Sequence, residues 1–280
     1  MKVAIITDST SYIPLEIREK YNIIVVPLSV TFGNKSYEEE TELSADEFYT
    51  LVRDSKELPK TSQPSIGYIT DKLTELAENY DAAIAIHLSS GISGTFNTMQ
   101  TAGNMVEDIK VYPFDSEISC MPQGFYVIEA AKMVEEGKSP EEIIARLNEM
   151  KQSMRAYFVV DDLQHLHRGG RLSGTQALVG SMLQVKPILH FHETKIVPFE
   201  KIRTQKKAIK RIVEMFEEDA KTGRAIRATV IDANAPELGE RVAEDLRSRF
   251  PNATIETSYF GAVIGTHLGE GSLGIGWYFE

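Results

Sequence analysis

Ser89-Ser90-Gly91-Ile92-Ser93-Gly94-Thr95-Phe96 is the stretch of this chain whose residue types are best suited to chemistry. It follows an apolar run, Ala82 to Leu88, that reads as a buried strand, and precedes Asn97 to Val106, which can form a helix. A loop leading from a strand into a helix exposes backbone N–H groups that no helical carbonyl can satisfy. The helix dipole adds partial positive charge at the same place. Gly91 and Gly94 let the backbone approach a ligand closely, and Ser89, Ser90, Ser93 and Thr95 add hydroxyls. The chemistry this suits is the capture of an oxyanion, carboxylate or phosphate. A Gly/Ser turn that merely caps a helix has the same composition.

Other residues could complete such a site. His267 lies among small residues, Gly265-Thr266 and Leu268-Gly269, where an imidazole can reach into a cleft or bond to its own turn. Arg171, in Arg168-Gly169-Gly170-Arg171-Leu172-Ser173-Gly174, can grip a carboxylate or phosphate with two N–H groups, or serve as one half of a structural ion pair. A nucleophilic Ser93 activated by His267 would make a serine hydrolase, although Gly91-Ile92-Ser93-Gly94-Thr95 misses the Gly-x-Ser-x-Gly elbow at its last position. His165-x-His167 and His190-x-His192 put paired imidazoles on one face if extended, but no third ligand has recognisable spacing. Gly269-Glu270-Gly271-Ser272-Leu273-Gly274 matches Gly-x-Gly-x-x-Gly literally. The residues after it read as a strand rather than the helix a dinucleotide site needs, so a tightly packed strand is the better account. Lys206, Lys207, Lys210 and Arg211, with Arg203 just before them, form a local basic patch that suits a solvated helix face or an acidic partner.

The elements that must position these residues alternate. Val3 to Thr7 reads as a strand, Ile13 to Tyr21 as a helix, Ile23 to Val30 as a strand interrupted by Pro27, and Ser44-Ala45-Asp46-Glu47 as a capping box opening a helix. Thr61 to Ser65 reads as a polar loop before a helix over Ile66 to Asn79; Lys110 to Phe114 is a strand, and helices follow over Gly124 to Glu136 and from Ser139. Such alternation predicts an α/β fold with a parallel sheet covered by helices, and ligands in such sheets bind beyond the carboxyl ends of the strands. Asp8-Ser9-Thr10, the Ser93 loop and Asp115-Ser116 all sit directly after strands and are expected on one rim. After about Met154 the pattern changes to mixed strands with fewer helices: Ala156 to Asp161, a hairpin around Glu193-Thr194, a helix over Thr204 to Ala220, then a strand, a helix and further strands. This predicts a C-terminal α+β domain with a mixed or antiparallel sheet, residues 156–280 after an α/β domain of residues 1–155, the boundary being soft and the ligand lying between them.

Composition narrows the function. With 41 acidic against 30 basic residues the chain carries a net charge of -11, a poor basis for binding nucleic acid or an anionic membrane surface. One cysteine, Cys120, rules out an internal disulfide framework and a Cys-rich zinc site. The short apolar N-terminus and the lack of a long apolar stretch predict a cytoplasmic protein with no stable membrane insertion.

Asp8-Ser9-Thr10, Thr61-Ser62-Gln63-Pro64-Ser65, Ser89 to Phe96, Asp115-Ser116, Arg168 to Gly174, Lys186-Pro187-Ile188 and Gly265-Thr266-His267 occur together in this order along essentially the whole chain. In this the chain resembles the DegV family, in particular the FakB-type subunits of bacterial fatty-acid kinase. The resemblance implies an α/β plus α+β fold with a long-chain fatty acid bound between the domains and no cofactor. It implies a carrier, not an enzyme, that presents the acyl carboxylate to a separate ATP-dependent fatty-acid kinase, the acyl phosphate passing to an acyltransferase of phospholipid synthesis. On this resemblance Thr61, Ser93 and His267 bind the carboxylate, Ser62, Gly94, Thr95 and Arg171 lie near it, and Arg203 contacts the kinase. A serine hydrolase using Ser93 and His267, and a small-oxyanion-binding protein, are the alternative readings.

Overall fold

The computed structural model describes residues 1–55, 57–173 and 185–280. Gly174, the last residue of the Arg168 to Gly174 run, lies outside them. In chain order the strands are β1 Val3–Asp8, β2 Ile24–Val26, β3 Ser29–Phe32, β4 Lys35–Glu38, β5 Lys60–Ser62, β6 Ala82–His87, β7 Lys110–Asp115, β8 Arg155–Val159, β9 Ile188–His192, β10 Lys195–Glu200, β11 Ile226–Asp232, β12 Ala253–Tyr259 and β13 Leu273–Phe279. The helices are α1 Leu15–Lys20, α2 Ala45–Asp54, α3 Ile66–Ala77, α4 Thr95–Gly103, α5 Cys120–Glu135, α6 Pro140–Ser153, α7 Leu163–Arg168, α8 Gln205–Ala220, α9 Pro236–Arg249 and α10 Ala262–Leu268.

The near-continuous apolar runs of β1 and β6 are buried along their whole length because both faces of their sheet are covered. That sheet is parallel, in the order β2-β1-β6-β7. Alternation divides its side chains: Ile6, Ala83 and Ala85 pack on Ile69, Leu73 and Met99 of α3 and α4. Ile5, Ile84 and Ile86 pack on Phe125, Ile128 and Leu147 of α5 and α6. Capping boxes at Ser44/Glu47 and Ser139/Glu142 start α2 and α6.

The second sheet is mixed, in the order β10-β9-β8-β13-β11-β12, with only β11 and β12 parallel. Val159, Val230, Ile275 and Trp277 on one of its faces pack against Ile212 and Phe216 of α8 and Leu246 of α9. The opposite face shares a core with the first half of the chain, Phe158, Leu189 and Ile231, with Ile264 of α10, meeting Tyr12, Leu28, Leu88 and Phe48. Gly274 and Gly276 alternate with the large residues of β13 and lie on this inner face, where a Cβ at Gly276 would overlap Pro122. The glycines thus thin the sheet where it faces a cavity, and the literal Gly-x-Gly-x-x-Gly match ends in a strand as its sequence context predicted.

Three readings need correction. The run Ile23 to Val30 is two strands: Pro27, which has no N–H to give a ladder, separates β2 in the parallel sheet from β3 in an antiparallel β4-β3-β5 sheet. Thr61-Ser62 lies on β5 and not in a loop, paired to Ser29 and Val30. His165 and His167 lie on helix α7, where residues two apart point to different sides, so they are not the one-face pair an extended stretch would give. Among the described residues no helix is long and apolar enough to cross a membrane.

Candidate functional site

Asp8 ends β1 with its carboxylate buried, and it organises the rim. It accepts hydrogen bonds from Thr10 N (3.1 Å), Thr10 Oγ1 (2.6 Å), Leu88 N (2.9 Å), His87 Nδ1 (3.0 Å) and Gln123 Nε2 (3.1 Å). One side chain therefore ties together the loop after β1, the end of β6 and the first turn of α5. Asp115 does the same at β7, accepting from Ser90 N at 3.1 Å and Glu117 N at 3.0 Å. The three post-strand segments converge on one rim, but Asp8, Ser9 and Thr10 support it from behind and do not line the cavity. Ser89 turns away as well, donating to Thr194 O at 2.6 Å and so fastening the β9–β10 hairpin to the loop.

Glu39 is a second buried carboxylate. It accepts from Ser9 Oγ (2.6 Å), Tyr12 OH (3.0 Å) and Val263 N (2.8 Å), the last an orphan donor of the first turn of α10. Burial pushes its pKa up to about 7. Glu39 thereby fixes α10 to the β1 side of the molecule, and α10 carries His267 in its last turn.

Between the two sheets lies a cavity of about 300 Å³, at the small end of the range for small-molecule pockets. Thr61, Ser62, Ser93, Gly94, Arg171 and His267 line one end of it. Its body is apolar, with Leu88, Phe158, Phe191, Ile231, Phe260 and Ile264 prominent in the wall. The buried thiol of Cys120 also lines it, and burial raises its pKa, so it behaves there as a small apolar group.

At the polar end Thr61 Oγ1 and His267 Nε2 share a 2.9 Å hydrogen bond. Ser93 Oγ is 2.9 Å from Thr95 Oγ1 and accepts from Thr95 N at 3.3 Å, so Thr95 is buried behind Ser93 and orients its hydroxyl. Arg171 donates from Nε to Ile92 O (3.1 Å) and from Nη1 to Gly169 O (2.6 Å), which links the Ser93 loop to the turn after α7. Gly94 admits Gln63, whose Oε1 occupies the space a Cβ would need, and Gln63 Nε2 donates to Thr98 Oγ1 at 2.6 Å. Gly169 packs directly on the imidazole: a Cβ there would overlap His267 Nδ1.

The site's electrostatics follow from burial. The pKa of His267 is pushed down to about 3, first by desolvation, then by the positive charge of Arg171 and by His165. The imidazole is neutral near pH 7, and its Nδ1 is buried without a hydrogen-bond partner among the described residues. Arg171 loses some of its basicity to burial and keeps its charge, with no carboxylate in ion-pair range among the described residues. Hydroxyls, a neutral imidazole and one uncompensated guanidinium at the end of an apolar cavity make a place for a single anionic head group on an apolar body.

A pH effect follows from His267. Between its usual value of 6.5 and about 3 the unfolded chain holds a proton that the folded chain refuses. The stability tied to this group is complete above about pH 6.5 and is lost as pH falls through the window, by at most about 1.4 kcal/mol per pH unit. Urea titrations of ligand-free protein between neutral and mildly acidic pH will show this slope reduced in His267→Gln; identical slopes would contradict it.

The structure brings Thr61, Ser62, Ser93, Gly94, Arg171 and His267 to one cavity end, with Thr95 immediately behind. Arg203 is exposed in the segment before α8 and is not part of the cavity wall. Gly169, Gln63 and Glu39 pack on or hold the elements that line the cavity; from sequence, Gly169 and Gln63 entered only within motifs and Glu39 had no assigned role. Among the described residues no group of His, Cys, Asp and Glu is arranged to hold a metal ion. His190 and His192 do share a face of β9, where their rings stack 6.1 Å apart.

This arrangement has close counterparts. The family model for uncharacterised proteins of the DegV family matches residues 2–280. Protein DegV of Bacillus subtilis is 56% identical over 281 residues, covering 100% of both chains. The crystal structure of DegV, a fatty-acid-binding protein from Bacillus subtilis, superposes with a TM-score of 0.96 over 100% of both chains. That of a fatty-acid-binding DegV family protein from Streptococcus agalactiae gives 0.93 at 34% identity, covering 100% of this chain and 99% of that one. The chain belongs to the DegV family. Its fold is that of the family's solved members, a parallel sheet flanked by helices beside a separate mixed sheet.

Proposed function

We propose that this protein binds one long-chain fatty acid, with the acyl tail in the apolar cavity and the carboxylate at Thr61, Ser93 and His267. The observation that carries this reading is the lining of the cavity: largely apolar, with Thr61, Ser93, Arg171 and His267 gathered into one polar cluster. Fatty-acid binding by the Bacillus subtilis and Streptococcus agalactiae relatives supports it. Each buried methylene contributes about 0.8 kcal/mol, so the tail supplies affinity, and the polar end supplies orientation. Arg171 balances the buried carboxylate, while hydroxyl and imidazole donors leave it nucleophilic.

The protein acts as a carrier. It divides into residues 1–155 and 156–280 around the ligand and presents the carboxylate to a separate ATP-dependent kinase that docks at Arg203. The acyl phosphate then passes to an acyltransferase of phospholipid synthesis. Ser62, which lines the cavity, and Arg203 are both exposed, which supports their accessibility to a partner. A hydrolase is less well supported: His267 Nε2 is engaged by Thr61, Ser93 is oriented by Thr95, and Gly169 occupies the side of the ring where an orienting carboxylate would stand. A small-oxyanion protein would have no use for the apolar body.

The test is calorimetric titration of delipidated protein with hexadecanoate. Ser93→Ala will weaken binding by about tenfold to a hundredfold, the worth of a hydrogen bond to a charged group. Unchanged affinity would remove Ser93 from the head-group site. Addition of the kinase and ATP to loaded protein will yield acyl phosphate, and Arg203→Ala will slow that step without altering hexadecanoate affinity.

A further inference from the structure

A second cavity, about 330 Å³ in volume, adjoins the acyl cavity at a different part of its wall and differs from it in chemistry. The two share Ala156, Tyr157 and Phe191, which therefore belong to the wall between them. The reason for the gap is a break in the sheet. β8 and β9 pair only at Tyr157↔His190 and Phe158↔Leu189. The next pairs in an antiparallel register, Ala156 with Phe191 and Arg155 with His192, do not form, and the strands splay there. Neither strand pairs further across the opening.

The ionisable side chains around this second cavity are mostly basic, set among the apolar Ile118, Met154, Ala156 and Phe191. Lys151, Arg155, His190 and His192 line it, with Glu117 as the one acid. Glu117 is bound by Lys151 at 2.9 Å. The Arg155 guanidinium donates only to main-chain carbonyls, Gln152 O at 3.2 Å and Met154 O at 3.1 Å, and has no carboxylate in ion-pair range among the described residues. His190 and His192 stand on the same face of β9 and add ring donors. A methyl-terminated chain gains less here than in the acyl cavity, since much of its hydration is exchanged for the polar part of the wall. An anionic group gains a charge-assisted partner in Arg155.

We infer that the second cavity binds an anionic group, and that through the opening between β8 and β9 it receives the distal carboxylate of a long-chain α,ω-dicarboxylic acid whose other carboxylate sits at Ser93. The inference rests on the fatty-acid reading above for the chain that reaches the opening. A free inorganic anion is the other source of the same chemistry.

The experiment titrates the delipidated full chain with hexadecanoate, with the homologous dicarboxylic acids from tetradecanedioate to docosanedioate, and with inorganic phosphate. Wild type will bind one chain length of the series within about threefold of hexadecanoate, although a second charge would ordinarily be excluded from an apolar cavity. Arg155→Gln will weaken that dicarboxylate about tenfold and leave hexadecanoate unchanged, which also shows that the variant is folded. Ala156→Phe, which fills the passage, will reject the dicarboxylates independently of Arg155. Rejection of every dicarboxylate by wild type, with Arg155-dependent binding of phosphate, would leave an anion site and overturn its link to the acyl chain. Rejection of both, or equal losses for hexadecanoate and dicarboxylate in Arg155→Gln, would overturn the proposal. Failure of hexadecanoate itself to bind marks failure of the fatty-acid reading, and with it the acyl link, while the phosphate arm still decides the anion site.

Discussion

Asp8→Ala will destabilise this protein by about 3–5 kcal/mol, the range for breaking a fully buried, hydrogen-bonded charge network. The side chain is completely buried and accepts five hydrogen bonds from three separate segments. Alanine leaves Thr10, Leu88, His87 and Gln123 with donors facing a cavity that offers no acceptor. Gln123 and Thr10 keep alternatives for one donor each, Gln123 Nε2 to Thr7 Oγ1 at 3.1 Å and Thr10 Oγ1 to Gln123 Oε1 at 3.2 Å, while Leu88 N, His87 Nδ1 and Thr10 N lose their acceptor. Asparagine preserves the volume but turns an N–H₂ toward donors, so Asp8→Asn will recover only part of the loss. Urea unfolding followed by circular dichroism measures both variants. A loss below about 1 kcal/mol for the alanine variant would mean that the rim is held by packing and not by this carboxylate.

Gly169→Ala will act on binding and hardly on stability. Gly169 has ordinary helical torsions (φ -71, ψ -12), so alanine meets no backbone strain and even restricts the unfolded chain slightly. Its methyl group, however, requires the space that His267 Nδ1 occupies. The imidazole must swing away, which breaks the Thr61–His267 hydrogen bond and removes a donor from the head-group end. Hexadecanoate affinity will fall by about a hundredfold, the combined effect of two lost polar contacts, while the unfolding free energy stays within about 1 kcal/mol of wild type. Equal affinity in the variant would show that His267 has no part in holding the ligand; a large stability loss would show that the contact is structural.

The parts of the fold that sequence made legible are those whose signals are local. β1 and β6 are apolar up to the polar residues at their carboxyl ends, α2 and α6 announce themselves by capping boxes, and the Ser93 loop combines glycines with hydroxyls between a strand and a helix. The parts that were not legible depend on distant partners. Glu39 sits in Glu38-Glu39-Glu40, a run that resembles a solvated acidic surface, yet it is buried because Ser9, Tyr12 and Val263 surround it with donors. Ala262 to Leu268 shows no amphipathic pattern because α10 is buried on nearly every side, with only His267 partly open. β5 has three residues and no apolar alternation, and only its pairing to β3 makes it a strand. Gly169 is inconspicuous among neighbouring glycines until His267, far away in sequence, packs against it. The candidate residues Thr61, Ser93, Arg171 and His267 were identified together through the family resemblance. Residue types and spacing alone singled out the Ser93 loop and left Arg171 and His267 with two readings each.

The central claim is that the cavity between the two sheets holds a fatty acid by its carboxylate. Native mass spectrometry of protein purified from bacteria, followed by denaturing extraction, tests it most directly. The account predicts an added mass equal to one long-chain fatty acid, released on denaturation and reduced in occupancy by Ser93→Ala. A ligand-free mass that stays unchanged after incubation with hexadecanoate and octadecenoate would contradict it.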